Sequence, residues 1–298
     1  MDEALEAVSD RPRRALLVLS AAATAALVVV YMLAVRTAWG QRLDATALRG
    51  RRELRAKAVH AAARLITTID VASLVLLGGA IVLVALLRAR PRLAAGAAAI
   101  IGGSILTTEV LKHVVLSRPF FGVLDALHGR PSFPSGHTTV AMSLAIAAML
   151  VSPSRWRGIV GALGALYASA MGVALIATAN HRPSDPIGAA LVVTAWAAVV
   201  TAMLVGRAGH EHHEPTGSRV SPWLALGGLA LLVVAFVGLA ATIVAIRRNR
   251  LDTIELGGAF AASATAIVGT VFLCTAALLA VLRGLALDRP VAPRPWPP

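Results

Sequence analysis

Long apolar segments recur along the whole chain, and they constrain its fold more than any other feature. Each approaches the roughly 17–25 residues that an α-helix needs to cross about 30 Å of hydrocarbon. Eight such segments are predicted, at residues 15–35, 71–87, 93–115, 137–151, 158–179, 186–205, 222–246 and 259–282. The sequence therefore predicts an all-α fold, a polytopic membrane helical bundle of about eight transmembrane helices.

The composition excludes an ordinary water-soluble globule. The 298 residues are 57% hydrophobic and 14% charged, with a mean hydropathy of +0.76, so there is too little polar surface for a soluble domain of this size. The first apolar segment follows three arginines, as the core of a signal peptide would. However, it exceeds the roughly 7–15 residues of such a core, and no clear cleavage site follows. We interpret it as a retained membrane anchor.

The net charge of +13 would also suit a nucleic-acid-binding protein. The basic residues lie in short connectors instead of one stripe, so we expect no nucleic-acid partner. The connectors at 87–93 and around Trp156 carry arginines without acids, which places them in the cytoplasm by the positive-inside rule. Residues 1–14 then form a cytoplasmic N-terminus of a multi-pass cell-membrane protein. The connectors 36–68, 117–136, 180–185 and 247–258 are expected on the extracytoplasmic side.

The connector at 36–68 is itself strongly basic, with eight Lys or Arg residues from Arg36 to Arg64, which weighs against that orientation. Its apolar residues recur at near-helical spacing. Two interpretations stay open: a helix on the membrane surface that attracts anionic lipid head groups, or a solvated helical connector.

Ionisable residues cluster in three segments predicted to reach the same membrane face. The end of the third span, the start of the fourth and the loop before the sixth supply Lys112, Arg118, Ser135, Gly136, His137, His181, Arg182 and Asp185. Ionisable groups at a membrane boundary are costly, so their convergence indicates a site. Taken singly, each has a structural explanation: Lys112 can pair with Glu109, and Ser135 can cap a helix.

Together these residues suit phosphoryl transfer. Lys112, Arg118 and the amides of Ser135 and Gly136, at a helix start, would form an anion site. His181 with Asp185 has the base-and-orienter arrangement of a nucleophile. A second imidazole in the fourth span, that of His137, can protonate the departing oxygen.

The same motifs resemble the signature of the type 2 phosphatidic acid phosphatase superfamily, which includes vanadium haloperoxidases and glucose-6-phosphatases. The matching elements are Lys112 with Arg118-Pro119, the tetrapeptide Pro134-Ser135-Gly136-His137, and His181 with Asp185. The resemblance covers roughly residues 70–205. It implies a phosphohistidine on His181, leaving-group protonation by His137, and neither a metal nor another cofactor.

The resemblance also implies a domain organisation. A six-helix phosphatase core would span residues 15–205, with catalytic motifs at 112–119, 134–137 and 181–185. An additional transmembrane hairpin, residues 222–282, would follow and is a candidate for contacts in a homo-oligomer. It contains the single cysteine, Cys274, so no intrachain disulfide can form.

Two features depart from the family signature. Five residues separate the lysine and arginine of the first motif, where the usual pattern has six. The Ser-Arg of the third motif would fall at Ala174 and Leu175, so the arginine that binds phosphate there is absent. Arg182, beside the nucleophile, is the first candidate replacement among substrate-binding residues, and Arg130 is the second.

The segments outside the predicted helices carry little recognisable chemistry. The linker 206–221 is rich in histidine and glutamate, with His210, Glu211, His212, His213 and Glu214. It suits either a transition-metal site or a solvated cytoplasmic linker, and the tight spacing favours the linker, so no metal site is predicted. The tail 283–298 is proline-rich and predicted to be disordered.

The leading hypothesis is an integral membrane phosphatase that acts at the outer membrane face. Its substrate would be a lipid phosphate monoester, or a prenyl or lipid diphosphate such as undecaprenyl diphosphate, held among membrane lipids. One alternative is a catalytically degenerate family member. Another is a transporter of a phosphorylated or lipid substrate, since intramembrane charges also mark permeation paths, although no inverted repeat is recognisable.

Overall fold

The computed structural model describes residues 2–127, 129–205 and 220–283, with side chains from residue 11 onward. These ranges are helical, with no strand. The helices are α1 (Asp2–Val30), α2 (Ala38–Gly50), α3 (Ala56–Ile66), α4 (Val71–Leu87), α5 (Pro91–Val110), α6 (Gly136–Val151), α7 (Ser154–Ala177), α8 (Ser184–Val205), α9 (Val220–Arg247) and α10 (Thr253–Val281). Helices α1 and α5 each end in a π-helical turn, Tyr31–Val35 and Leu111–Val115.

The predicted polytopic bundle is confirmed. Six helices in the described ranges are long and apolar enough to cross a membrane: α1 from Arg11 onward, α5, α7, α8, α9 and α10. The other two predicted spans are also helices. Helix α4 passes the same test only together with α3, from which it is bent by 59°, and α6 has 16 residues. These apolar helices indicate a membrane protein.

Polar caps determine where two of the helices, α4 and α10, begin. Asp252 accepts hydrogen bonds from the amides of Ile254 and Glu255, so α10 begins at Thr253 instead of residue 259. At the start of α4, Asp70 and Ser73 form a reciprocal capping box. A cap of this kind fixes the bend between α3 and α4, because it stops the helix there and starts a new one.

The most buried helices are α6 and α8, which lie at the centre of the bundle. Helix α6 is apolar on all sides and buries twelve of its residues, as a helix surrounded by protein does. By contrast, α9 exposes Trp223 and Phe236 and packs mainly on α10. Its outer surface is therefore suited to lipid contact.

Helix α10 is integrated into the bundle, although the hairpin was expected as an addition to a six-helix core. Ile267 is fully buried and lies against Gly172 of α7. Leu256 approaches the backbone of Gly50 on α2, where any side chain would clash. Contacts with α7, α8 and α2 make α10 part of the same core.

The basic connector folds as two helices with different environments. Helix α2 buries seven residues, among them Gln41 and Asp44. Helix α3 buries none. A surface or solvated position therefore describes α3 only, because α2 is inserted among the ends of α8, α10 and the loop after α5. The linker prediction at 206–219 and the tail from residue 284 lie outside the described residues.

Candidate active site

Lys112 lies in the π-helical turn that ends α5. The turn closes with a hydrogen bond from the amide of Leu116 to the carbonyl of Leu111, 2.8 Å long. Lys112 Nζ donates to Glu109 Oε1 at 2.8 Å, and Glu109 Oε2 lies 3.2 Å from His113 Nε2. The pairing of Lys112 with Glu109, one of the explanations considered from sequence, is therefore present. A π-helical turn shifts the direction of its side chains, and such turns are frequent at functional sites.

The first two motifs meet at Gly136, the first residue of α6. A Cβ atom at this position would lie 3.3 Å from Glu109 Oε1 and 3.4 Å from Lys112 Nζ. Glycine therefore lets the start of α6 approach the lysine closely. The amides of Gly136 and His137, in the first turn, have no acceptor within the helix and remain as donors for a ligand.

Ser135 joins the second motif to the third. Its amide donates to the carbonyl of Asp185 at 3.1 Å, and its Oγ accepts from the amide of Thr138 at 3.4 Å. The residue is fully buried. The expectation that the Ser135 amide contributes to the anion site does not fit this geometry, because the amide already has an acceptor.

The third motif holds an imidazole against a buried carboxylate. His181 Nδ1 lies 3.1 Å from Asp185 Oδ2, which also accepts from the amide of Arg182 at 2.8 Å. Asp185 is fully buried. With Nδ1–H donating to Asp185, the lone pair of His181 lies on Nε2, as a nucleophilic imidazole requires.

A cavity of about 690 Å³ extends from the motifs to the neighbouring helices. We call it the histidine cavity. Its polar lining consists of Asp70, Thr108, Glu109, Lys112, His113, Arg130, Ser132, His137, Thr139, Asn180 and His181, and Gly136 also lines it. Its apolar lining comes from the bend between α3 and α4, from α5 and from α6, with Ile69, Val71, Leu74, Ile105 and Val140. The histidine cavity is therefore lined partly by cationic groups and partly by apolar side chains.

The predicted site residues divide into three groups in the structure. The histidine cavity is lined by Lys112, Gly136, His137 and His181. Asp185 lies behind His181 and contacts it. Ser135, Arg118 and Arg182 do not line this cavity, although all three lie close to it.

Arg182 has a different environment from the one expected for a phosphate ligand. Its guanidinium forms a bidentate ion pair with Asp125, with distances of 2.7 and 2.9 Å. Further donors contact Ser132 Oγ at 2.8 Å and the carbonyl of Leu127 at 2.9 Å. The residue is only 2% exposed. Arg182 therefore stabilises the loop before α6. Most of its N–H donors already have partners within the chain, so few are available to a substrate.

Arg118 also has an acidic partner within the chain. Its Nη2 lies 3.4 Å from Asp44 Oδ2, and Asp44 accepts from the amide and the hydroxyl of Ser184 at 3.2 and 2.7 Å. Burial raises the pKa of Asp44 to about 6, against the opposing effect of the Arg118 charge. Arg118, Arg130 and Arg182 line a smaller cavity of about 250 Å³, which we call the arginine cavity.

The position that carries an arginine in the family signature is apolar here in both sequence and environment. Leu175 is 1% exposed and belongs to the hydrophobic core. Only its carbonyl faces the loop, where it accepts from the amides of Asn180 and His181. An anion bound at this site would therefore need donors from other residues. Arg130 lines both cavities, is exposed, and pairs with no carboxylate among the described residues.

Three residues that hold the site together were not predicted from the sequence: Gln41, Asp44 and Asp125. Gln41 Nε2 donates to the carbonyl of Pro119 at 2.8 Å. A signal existed, because Asp44 is one of only two acids among the eight basic residues from Arg36 to Arg64. An isolated acid in a basic, apolar segment indicates a specific cationic partner.

One segment of the chain is similar to a known protein family. Residues 93–208 match the sequence model of the PAP2 superfamily. The match begins at α5, later than the residue 70 expected from the motifs, and it contains all three motifs. No curated protein and no solved structure shows a significant match to the chain.

Proposed function

We propose that this membrane protein hydrolyses a lipid phosphate or diphosphate, because the match of residues 93–208 to the PAP2 superfamily suggests a phosphatase acting on phosphate esters. The histidine cavity is the observation that carries the proposal. Its polar wall can bind a phosphate, while Leu74, Ile105 and Val140 form an apolar wall for a hydrocarbon chain. A soluble phosphate ester would gain nothing from that apolar wall.

The proposed reaction begins with attack by His181 Nε2 on the phosphorus atom. A P–N bond forms and the P–O bond to the lipid oxygen breaks, while His137 gives that oxygen a proton. Asp185 holds Nδ1–H of His181 and stabilises the positive charge that develops on the ring.

Water completes the cycle. His137, now neutral, takes a proton from a water molecule whose oxygen attacks the phosphorus of the phosphohistidine. The P–N bond breaks and its electron pair returns to His181, so phosphate leaves and both imidazoles are restored. For a diphosphate, the oxygen released in the first step belongs to the lipid monophosphate.

Charge on the transferred phosphoryl group would be stabilised by side chains and helix amides. Lys112 lies at the cavity wall, and Arg130 offers a guanidinium that no carboxylate of the described chain occupies. The amides of Gly136 and His137 add two donors at the start of α6. We propose that Arg130 supplies the bidentate contact missing at Leu175.

Phosphate release by the purified protein tests the proposal directly. Phosphatidate, phosphatidylglycerophosphate and a prenyl diphosphate would be compared in mixed micelles, each with and without EDTA and vanadate. We expect release from at least one lipid, resistance to EDTA and inhibition by vanadate, which mimics the pentacoordinate phosphoryl group. Release from soluble phosphate esters alone would exclude the lipid specificity, and a stable preparation inactive on every substrate would indicate a degenerate member.

We also propose that the site faces the extracytoplasmic side of the cell membrane. Reporters fused after residues 45 and 126 should then report the outside, and those after residues 90, 156 and 212 the cytoplasm. The reverse pattern would place the site on the cytoplasmic face.

A further inference from the structure

Residues of the stretch from Tyr31 to Asp44 bind the loop that carries Arg118. This stretch lies outside the residues that match the family model. The Tyr31 hydroxyl donates to the carbonyl of Ser117 at 2.8 Å and accepts from its amide at 3.2 Å. Arg36 Nη1 donates to Ser117 Oγ at 3.1 Å. Gln41 of α2 then holds the carbonyl of Pro119, and Asp44 pairs with Arg118. Three consecutive loop residues are thus fixed by one N-terminal segment.

Arg118 interacts with two buried carboxylates. Asp44 is its ion-pair partner, and Asp185, which orients His181, also interacts with it electrostatically. Asp185 Oδ2 accepts from His181 and from the amide of Arg182, whereas Oδ1 is buried without a hydrogen bond from any described residue. A buried carboxylate oxygen of this kind strongly attracts a nearby cation.

We propose that Asp44 is a positioning residue for the phosphatase reaction: it holds Arg118 away from Asp185, so that Asp185 remains the partner of His181. The inference rests on the proposed function and extends the site to α2. Without the negative charge of Asp44, the guanidinium of Arg118 moves toward Asp185 and competes with His181 for that carboxylate. The imidazole then loses the orientation it needs for in-line attack.

Asp44→Asn is the matched substitution, because asparagine keeps one oxygen to accept from the Ser184 amide, its NH2 group can donate to the Ser184 hydroxyl, and the charge that holds Arg118 is removed. We expect kcat to fall at least tenfold with a smaller change in KM, because orientation of the nucleophile acts in the transition state. The same variant should weaken vanadate binding at least tenfold, measured as a vanadate-induced rise in Tm. Vanadate binding needs no turnover, so it tests Asp44 even if the lipid substrates fail.

A double-mutant cycle separates positioning from folding. Asp44→Asn should have little further effect on vanadate binding in an Arg118→Ala background, because its effect passes through Arg118. Thr46→Val is the control for α2 itself, since Thr46 is buried and its hydroxyl bonds only within the helix, to the carbonyl of Arg42. This control should lower Tm without changing vanadate binding.

The pH dependence gives a third measurement. Asp44 faces Arg118 from the loop, and Ser184 and Asp185 from α8. Its pKa of about 6 means that it is ionised at pH 7.5 and neutral at pH 5. The difference in vanadate binding between wild type and Asp44→Asn should therefore be largest at pH 7.5 and shrink below about pH 6.

Each outcome decides the matter. Unchanged kcat and vanadate binding in Asp44→Asn would overturn the inference while leaving the phosphatase proposal intact. Tighter vanadate binding would show that Asp44 competes with the phosphate instead of positioning Arg118. If Asp44→Asn weakened vanadate binding equally with and without Arg118, Asp44 would have only a folding role. The protein could also lack phosphatase activity, while Asp44→Asn weakens vanadate binding only when Arg118 is present. That result would uphold the inference and reject the proposed function.

Discussion

The histidine cavity and the arginine cavity lie side by side and share Arg130, yet they differ in how their cations are paired. In the arginine cavity, Arg182 and Arg118 have buried carboxylate partners within the chain, Asp125 and Asp44. Arg130, which lines both cavities, has no carboxylate partner among the described residues. A cation with an internal counter-ion stabilises the fold, whereas one without it is available to an anionic ligand.

Lys112 is intermediate between these two cases. It donates to Glu109, but that carboxylate is 46% exposed, unlike Asp44 or Asp125. Because the acid of this pair is open to solvent, its ion pair with Lys112, which is 12% exposed, is weaker than a fully buried pair, and a phosphate can replace Glu109 as the partner of Lys112. Lys112 is therefore grouped with the cations that are available to a ligand.

The largest expected effect is on the histidine cavity. His181→Ala should lower kcat by on the order of 10³-fold or more, because the covalent route disappears with the nucleophile. Steady-state phosphate release measures it. His137→Ala serves as the companion variant and should still accumulate labelled phosphoenzyme from a substrate with a good leaving group. Normal turnover without His181 would refute the mechanism.

Arg182→Ala should act on stability instead. Removing the guanidinium leaves the buried Asp125 carboxylate unpaired, which costs about 3–5 kcal/mol of folding free energy. Denaturant unfolding in detergent would show the loss. Arg182→Lys should recover little, because an ammonium cannot reproduce the bidentate contact. If Arg182→Ala were as stable as wild type but inactive, Arg182 would return to the role of a phosphate ligand.

Arg130→Ala should lower activity and leave stability unchanged, unlike Arg182→Ala. We expect kcat/KM to fall on the order of 10²-fold, as for the loss of one preorganised donor, with unfolding unchanged. Arg64→Ala, an exposed arginine on α3, is the control for a general loss of positive charge. Equal effects of the two substitutions would mean that Arg130 contributes only to the surface potential.

The smallest effect is expected at Glu109. Glu109→Gln removes the acid that competes with phosphate for Lys112, so vanadate binding should tighten a few-fold, corresponding to less than about 1 kcal/mol. Titration of Tm with vanadate can resolve a change of this size. Weaker binding would instead show that Glu109 positions Lys112 for the ligand.

Much of the candidate site was predictable because its determinants are local. The apolar segments fix which residues form helices, and the motifs lie at helix ends such as Gly136 and Lys112. With alternating spans, those ends reach one side of the bundle. His181 and Asp185 are four residues apart, so their contact follows from one turn of chain.

Partners distant in sequence could not be predicted in this way. Arg182 and Asp125 are separated by 57 residues, and Asp44 and Ser184 by 140. Sequence analysis assigned Arg182 to the substrate because it adjoins His181 along the chain. Adjacency in the sequence does not determine where a side chain points. The side chain of Arg182 points to the loop that contains Asp125 and Ser132.

The sequence by itself determined that this chain is a helical membrane protein with three phosphatase-like motifs, because the hydrophobic effect acts on composition and each motif is short. Only the tertiary structure decided which arginines stabilise the fold and which remain available to a ligand. The physical reason is that electrostatic pairing depends on the distance between charges and on their burial. Both are set by the packing of α2, α8 and the loop after α5, which no single segment specifies.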